Sequence, residues 1–355
     1  MTANTTEKLK KVEIYISMVV WGKTFRDLFC DWVLPSQLSP NNILQLQDSF
    51  STSYHIYTTK EDRSFMEKHS SIISLKEKMP VVFHEIEDGV ETEVERGVRK
   101  YDRYSKYLRD TVIYANSKGA AILNLCPDAF FSDSTFKTLI NHISRGKRLV
   151  CMPGVRIKKE KALEFLANIK NSRKGCRDSE IIDAALKILH PITESLIWGN
   201  KAFSWEWPSH IIHRLEAGLL IYPFHTHPLY LNSRNKGLSP VSTLDDDYID
   251  SAFHEADETA YLFDSDEGFC FELSEEGNPI IKENMVPTNP VQHIANWTNR
   301  HCNQRHLINF NSPYLLQSKE ISDQDKNVIR DAKELAENIM NRRSSKKKGL
   351  FSFFK

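Results

Sequence analysis

The sequence predicts an α/β protein: a mostly parallel sheet with flanking helices, of a Rossmann-like kind, followed by a helical C-terminal extension. Two observations carry this. Segments of strand and helix period alternate through residues 11–160, and several of the strand segments are apolar on both faces. A strand buried on both faces belongs in a sheet covered by helices on each side. At 355 residues the chain can also bury a sizeable core.

The elements follow in order. Lys11–Val20 reads as a strand, Thr24–Leu34 as an amphipathic helix stopped before Pro35, Tyr54–Thr59 as a second strand and Val81–His84 as a third. From Arg99 to Asn116 the residues Tyr104, Tyr107, Leu108, Val112 and Ala115 recur at helical spacing. Ala120–Leu125 is a near-continuous apolar strand, Ser134–Ser144 a helix ended at Gly146, and Arg148–Met152 a further strand. Helices over Lys158–Asn171 and Ser179–Leu189 read as peripheral cover, and Trp198–Trp207, with three of the six tryptophans, as a packed loop. Ala217–Phe224 is another buried strand. Thr259–Asp266 is an apolar strand ending in Asp-x-Asp, and Gly268–Ser274 alternates like the edge of an antiparallel hairpin. Gln292–His306 is a helix or turn, and Asp323–Arg342 a polar helix with a thin apolar stripe. The resulting division is an α/β domain over 11–275, a helical extension over 276–341 and a tail over 342–355.

Composition excludes several classes. Lys+Arg and Asp+Glu are both 47, which gives no global charge for a nucleic-acid partner. Mean hydropathy is −0.45, and no apolar run approaches the roughly twenty residues of a membrane span. The N-terminus lacks an apolar h-region, so cytoplasmic residence is the expectation. The six cysteines show no CxxC and sit in part in apolar runs, where a thiol packs as a small hydrophobe. The tail Arg342–Lys355 sets five basic residues before one leucine and three phenylalanines. That pairing suits an anionic membrane surface and predicts peripheral contact at the inner face of the membrane.

In parallel sheets ligands bind outside the carboxyl ends of the strands. Those ends here are Trp21-Gly22-Lys23, Thr58-Thr59-Lys60-Glu61-Asp62, His84-Glu85, Pro127-Asp128 and Pro153-Gly154. The strongest polar signal is His225-Thr226-His227-Pro228, with Asp245, Asp246 and Asp247 about twenty residues on. Imidazoles two apart on a strand end point the same way, and a nearby carboxylate cluster would complete a divalent-cation site. There is no GxGxxG, GxxxxGK[ST] or GxSxG motif.

Taken together, Val20-Trp-Gly22, Leu34-Pro-Ser-Gln-Leu-Ser-Pro-Asn41, Ile56–Thr59 with Asp62, Leu125-Cys-Pro-Asp128, Gly146–Val150, Phe224–Pro228, Leu244–Asp247 and Asp264-Ser-Asp266 resemble GT-A-like bacterial nucleotide-sugar glycosyltransferases. The likeness spans most of residues 11–270. It implies transfer of a sugar from a nucleotide-sugar donor to the hydroxyl of a glycan or other acceptor. Trp21, Thr58, Thr59, Asp62 and Asp128 would then line the donor pocket. Asp128, His225, His227 and Asp245 would take the Mn²⁺ or Mg²⁺ or the diphosphate, and Asp246 or Asp247 would act as base. One departure stands out: the family's Asp-x-Asp is Cys126-Pro-Asp128 here, with a single carboxylate.

Two other readings fit parts of the chain. His225-Thr-His-Pro228 and Ser242-Thr-Leu-Asp245, with Glu194 upstream, resemble the signature of JAB/MPN zinc hydrolases, in which two histidines, an aspartate and a water make an open zinc site. The gap between Pro228 and Ser242 is about twice the length usual there. A non-catalytic binding protein on the same fold is the third.

Overall fold

The computed structural model describes residues 12–87, 98–172, 177–241, 244, 248–277 and 286–350. It is a mixed α/β fold with a largely parallel central sheet, flanking helices and a helical C-terminal part. The chain divides into two compact units. The first comprises Met1–Met152, His227–Leu262 and Asp266–Cys270; the second comprises Pro153–Thr226, Phe263–Ser265 and Phe271–Lys355.

The first unit holds a seven-stranded sheet of β1 (Glu13–Val19), β2 (Ser51–Thr58), β3 (Val81–Glu85), β4 (Ala121–Leu125), β5 (Leu149–Met152), β6 (His227–Leu231) and β7 (Thr259–Tyr261). Their spatial order is β7-β5-β6-β4-β1-β2-β3. All neighbours pair in parallel except β6, which runs antiparallel between β4 and β5. β1, β2 and β4 are buried along almost their whole length; the near-continuous apolar runs of β1 and β4 require this, whereas β2 takes Ser53, His55 and Thr58 inside with it. The chain winds outward from β1 to β2 and β3, then returns across β1 to β4. Connections therefore leave β1 and β4 toward opposite sides, the switch point at which open α/β sheets form a crevice outside the carboxyl ends of the strands.

The first helical segment departs from the sequence reading. It does not stop before Pro35: an α-helix at Lys23–Leu28 passes through a π-helical turn at Phe29–Val33 into a helical turn at Leu34–Gln37. Proline removes one backbone N–H and its ring crowds the carbonyl four residues back. The wider turn absorbs both, so the helix continues.

In the second unit the strands Tyr314–Gln317, Gly218–Pro223 and His210–Arg214 form an antiparallel sheet in that order. A β-carbon on Gly218 would lie 1.9 Å from the Leu316 carbonyl oxygen, so only glycine permits this close pairing. The sheet packs on a cluster that includes Trp205, Phe224, Trp297 and Phe310, with Phe224 and Phe310 stacked at 4.2 Å. Trp205 thus belongs to the core, whereas Trp207 is 51% exposed. The helices Pro290–His301 and Asp323–Leu350 supply the C-terminal layer. Cys270–Ser274 is not the hairpin edge its alternation suggests: it pairs in parallel with Val155–Lys158, Phe271 opposite Val155. Alternation reports one-sided burial and is blind to the direction of the partner. The five described cysteines are free thiols, three of them buried.

Each unit buries a histidine in its sheet. His55 on β2 and His213 in the antiparallel sheet are both pushed down to about 4, chiefly because burial disfavours the charged ring; for His55 the neighbouring His84 adds to this. A folded-state value below the unfolded one means that the unfolded chain takes up more protons as pH falls. Stability is therefore full above about pH 6.5 and declines by at most about 1.4 kcal/mol per pH unit for each ring down to about pH 4, where it levels off. Thermal denaturation at pH 7.5, 6 and 4.5 should show this decline, and His213→Gln should make it shallower while leaving the share of His55; an unchanged slope in that variant would exclude His213 as a source.

Candidate functional site

The crevice outside β1 and β4 is built from backbone outward. Gly22 follows β1 with φ +79°, a left-handed conformation that favours glycine, and it opens the helix Lys23–Leu28. Its N–H donates to Asp62 Oδ2 at 2.7 Å. Asp62 sits in the first turn of the helix Lys60–Met66 that follows β2, and Thr59 caps that helix by accepting from the Asp62 N–H at 3.2 Å. The Thr59 hydroxyl donates to Asp62 Oδ2 at 3.0 Å, and Arg26 Nη1 donates to Oδ1 at 3.2 Å. The Arg26 guanidinium also lies 3.8 Å over the Phe65 ring. Both oxygens of Asp62 are thus engaged, and its carboxylate ties the loop after β1 to the loop after β2. Thr58, one residue earlier, is fully buried; its hydroxyl has no hydrogen-bond partner among the described residues.

On this frame stands an aromatic group. Trp21 is half-buried, with the Tyr104 ring at 6.4 Å and the Tyr107 ring edge-on at 6.1 Å. The Arg103 guanidinium lies 5.3 Å from the Trp21 ring and 5.9 Å from that of Tyr107. Arg103 also donates to the Glu87 carbonyl, and Tyr107 Oη accepts from the Glu87 N–H at 3.2 Å. Tyr104 Oη comes within 3.8 Å of Cys126 Sγ, just beyond β4. Residues after β1, β3 and β4 therefore meet the early turns of the helix Val98–Lys118 around one indole. Helical spacing alone reads Tyr104 and Tyr107 as core-facing positions. Asp128 is half-buried in the turn between β4 and the short strand Ala129–Phe131. Asp133, at the start of the next helix, accepts from Ser39 and Asn42, each at 3.1 Å.

The paired histidines are assigned to different units. His227 begins β6 in the first unit, and its Nε2 is 2.7 Å from the Asn124 carbonyl oxygen. A carbonyl only accepts, so Nε2 carries a proton. His225 belongs to the second unit, stacked 6.3 Å from Trp207 and with its ring 4.4 Å from that of His306. Asp245, Asp246 and Asp247, and Ser242 of the hydrolase signature, lie outside the described residues. Among the described residues no three His, Cys, Asp or Glu side chains converge in a group able to hold a metal ion. Nor is any helix among them long and apolar enough to cross a membrane. Most of the basic-aromatic tail falls outside the described side chains, although the last helix continues to Leu350.

These features define an α/β protein with an aromatic and arginine-bearing group at the switch point of its sheet. No protein-family model matches the chain, and no curated protein sequence does. Among solved structures, it is similar to the crystal structure of mouse xyloside xylosyltransferase 1 in its apo form, with a TM-score of 0.27 and 13% identity. That match covers 46% of this chain and 60% of the other, so the chain spans less than two thirds of that relative.

Removing the charge of Asp62 would leave Arg26 paired with Asp27 alone, whose Oδ1 lies 2.8 Å from its Nη2, and would weaken the link between the two loops. Asp62→Asn should cost about 2 kcal/mol in urea denaturation, the scale of losing hydrogen bonds to a charged group. A loss under about 1 kcal/mol, the range of surface pairs, would show that the pair does not hold the two loops together.

Proposed function

We propose that the chain is a glycosyltransferase that moves a sugar from a nucleotide-sugar donor to a hydroxyl acceptor. The observation that carries this reading is the Trp21–Tyr104–Tyr107–Arg103 group at the carboxyl ends of β1 and β4, where the sequence resembles GT-A-like enzymes. An indole face supports a stacked base, and a guanidinium beside it supplies charge for phosphate. Thr59 and Asp62 act as positioning residues, because they fix Gly22 and through it Trp21. Thr58 adds a buried hydroxyl next to them.

Asp128 stands at the diphosphate side. A Mn²⁺ or Mg²⁺ ion, when bound, would neutralise the leaving diphosphate, with Asp128, His227 and Asp245 as its ligands. In the transfer the acceptor O–H gives its proton to the carboxylate of Asp246 or Asp247. Its oxygen bonds the anomeric carbon, the bond from that carbon to the diphosphate oxygen breaks, and the nucleoside diphosphate leaves with the electron pair. A glycan or membrane-linked acceptor suits a chain whose tail carries basic and aromatic residues.

Thermal-shift titration of the metal-stripped full chain with UDP, GDP and CMP, each with and without Mn²⁺, tests the reading. One nucleotide should raise the melting temperature, since a ligand at 100 times its Kd adds about 2.7 kcal/mol to the native state. Trp21→Ala should weaken that nucleotide about tenfold, in keeping with the cost of losing a stacked base. No shift with any nucleotide would overturn the proposal, and a shift with Zn²⁺ alone, lost in His225→Ala, would favour the zinc-hydrolase reading. With the donor known, Asp128→Asn should abolish turnover and leave the melting temperature unchanged; retained turnover would remove Asp128 from the mechanism.

A further inference from the structure

A second site lies along the outer edge of the first unit's sheet. Registered opposite each other on β2 and β3, Tyr57 and His84 share one sheet face with His55. The helix Val98–Lys118 covers this face with a stripe at helical spacing: Tyr107, Asp110, Tyr114 and Ser117. Between them is a cavity of about 410 Å³. Its floor is aromatic. His84 stacks on Tyr57 at 4.2 Å with the rings 9° apart, and Tyr114 meets His84 edge-on at 4.8 Å.

The floor carries no charge. His84 Nε2 is 3.0 Å from His55 Nδ1, and His55 Nε2 is 2.9 Å from the Ser53 hydroxyl. A nitrogen–nitrogen hydrogen bond uses one N–H and one lone pair, so the two facing nitrogens share a single proton. Burial lowers both imidazoles below their usual range and raises the Tyr57 phenol, which keeps all three rings neutral. The groups lining the cavity that are charged at neutral pH are Asp110 and Glu85, both negative. Neither forms a salt bridge among the described residues. The chain's own ammonium groups already approach these rings: Lys118 Nζ is 5.9 Å from the Tyr114 centroid and Lys106 Nζ 5.5 Å from that of Tyr107.

We propose that this cavity binds a small organic cation, an alkylammonium group held against the Tyr114 and His84 rings and neutralised by Asp110 and Glu85. Aromatic faces and carboxylates together select such a group, because the ring quadrupole and the negative charge both favour a weakly hydrated cation. The neutral Ser53–His55–His84 chain has two tautomeric arrangements of equal net charge, one with His84 Nδ1 as a donor and one with it as an acceptor; interconversion releases the Nδ1 proton to water and returns one to the Ser53 hydroxyl. The site is distinct from the crevice beside Trp21, sharing with it the Tyr107 side chain.

The full-length protein would be titrated with choline, with n-butylammonium and with 3,3-dimethylbutan-1-ol, the uncharged isostere of choline, with binding read by ligand-observed NMR. One or both cations should bind and the neutral alcohol should bind at least about fivefold more weakly. Preference for choline identifies a free quaternary amine as the natural ligand, and preference for n-butylammonium a lysine-like side chain. Asp110→Asn, at an exposed position, should weaken the cation about fivefold; Tyr114→Leu, checked for native circular dichroism, should do the same. Absence of binding by both cations, equal binding of the alcohol, or unchanged affinity in both folded variants would overturn the proposal.

Discussion

A parallel sheet wound in both directions from one strand must part somewhere. Here β1 is that strand: the chain leaves it for β2 and β3 on one side and comes back for β4 on the other. No helix can cover the carboxyl ends of β1 and β4 at the point of parting, because the connections there depart to opposite sides. Everything proposed for the crevice depends on this opening. Trp21 faces it because it is the first residue with room beyond β1, and Asp128 because it lies just beyond β4. Around the opening the fold concentrates buried polar bonds that a continuous layer would not need. Asp62 accepts from Gly22, Thr59 and Arg26, and so fixes two loops whose backbones would otherwise be free to drift.

The same economy of polar groups recurs at the sheet edge. Histidines on β2 and β3 are accommodated under a helix because they satisfy one another, with Ser53 closing the chain. An unpaired imidazole there would lose its hydrogen bonds to water without replacement. Tyr15, stacked on His55 at 4.0 Å, completes a face that is aromatic and polar at once. The opposite behaviour appears in the second unit, where Trp205, Phe224, Trp297 and Phe310 form an apolar centre and glycine at 218 lets the strands close on it.

How much of this could be read from the chain alone differs by kind of interaction. The strands β1, β4 and β5 were legible because both of their faces are almost wholly apolar, a property local to a few residues, and β2 because its tyrosines, threonines and isoleucine favour an extended chain. The antiparallel strand β6 was not, because its place between β4 and β5 depends on partners far away in sequence, which periodicity does not encode. Pro35 misleads in the opposite direction: its ordinary effect is to stop a helix, and a π turn cancels that effect. Within the site, strand-end logic pointed to Trp21 and Asp128. It could not see that Arg103, Tyr104 and Tyr107 join them, because a tyrosine at helical spacing looks the same whether it meets core or crevice. The engagement of both Asp62 oxygens was equally hidden, since it relies on an arginine from another loop.

The order in which β6 arrives has a consequence for synthesis. When residues up to Met152 have emerged from the ribosome, β4 and β5 exist but the strand that joins them does not. The next stretch, Pro153–Thr226, belongs to the other unit. Until His227–Leu231 follows, two strands buried on both faces in the native state present open hydrogen-bonding edges, the form in which chains pair with their neighbours. The nascent protein is thus most exposed to misassembly in the interval between the synthesis of β5 and that of β6.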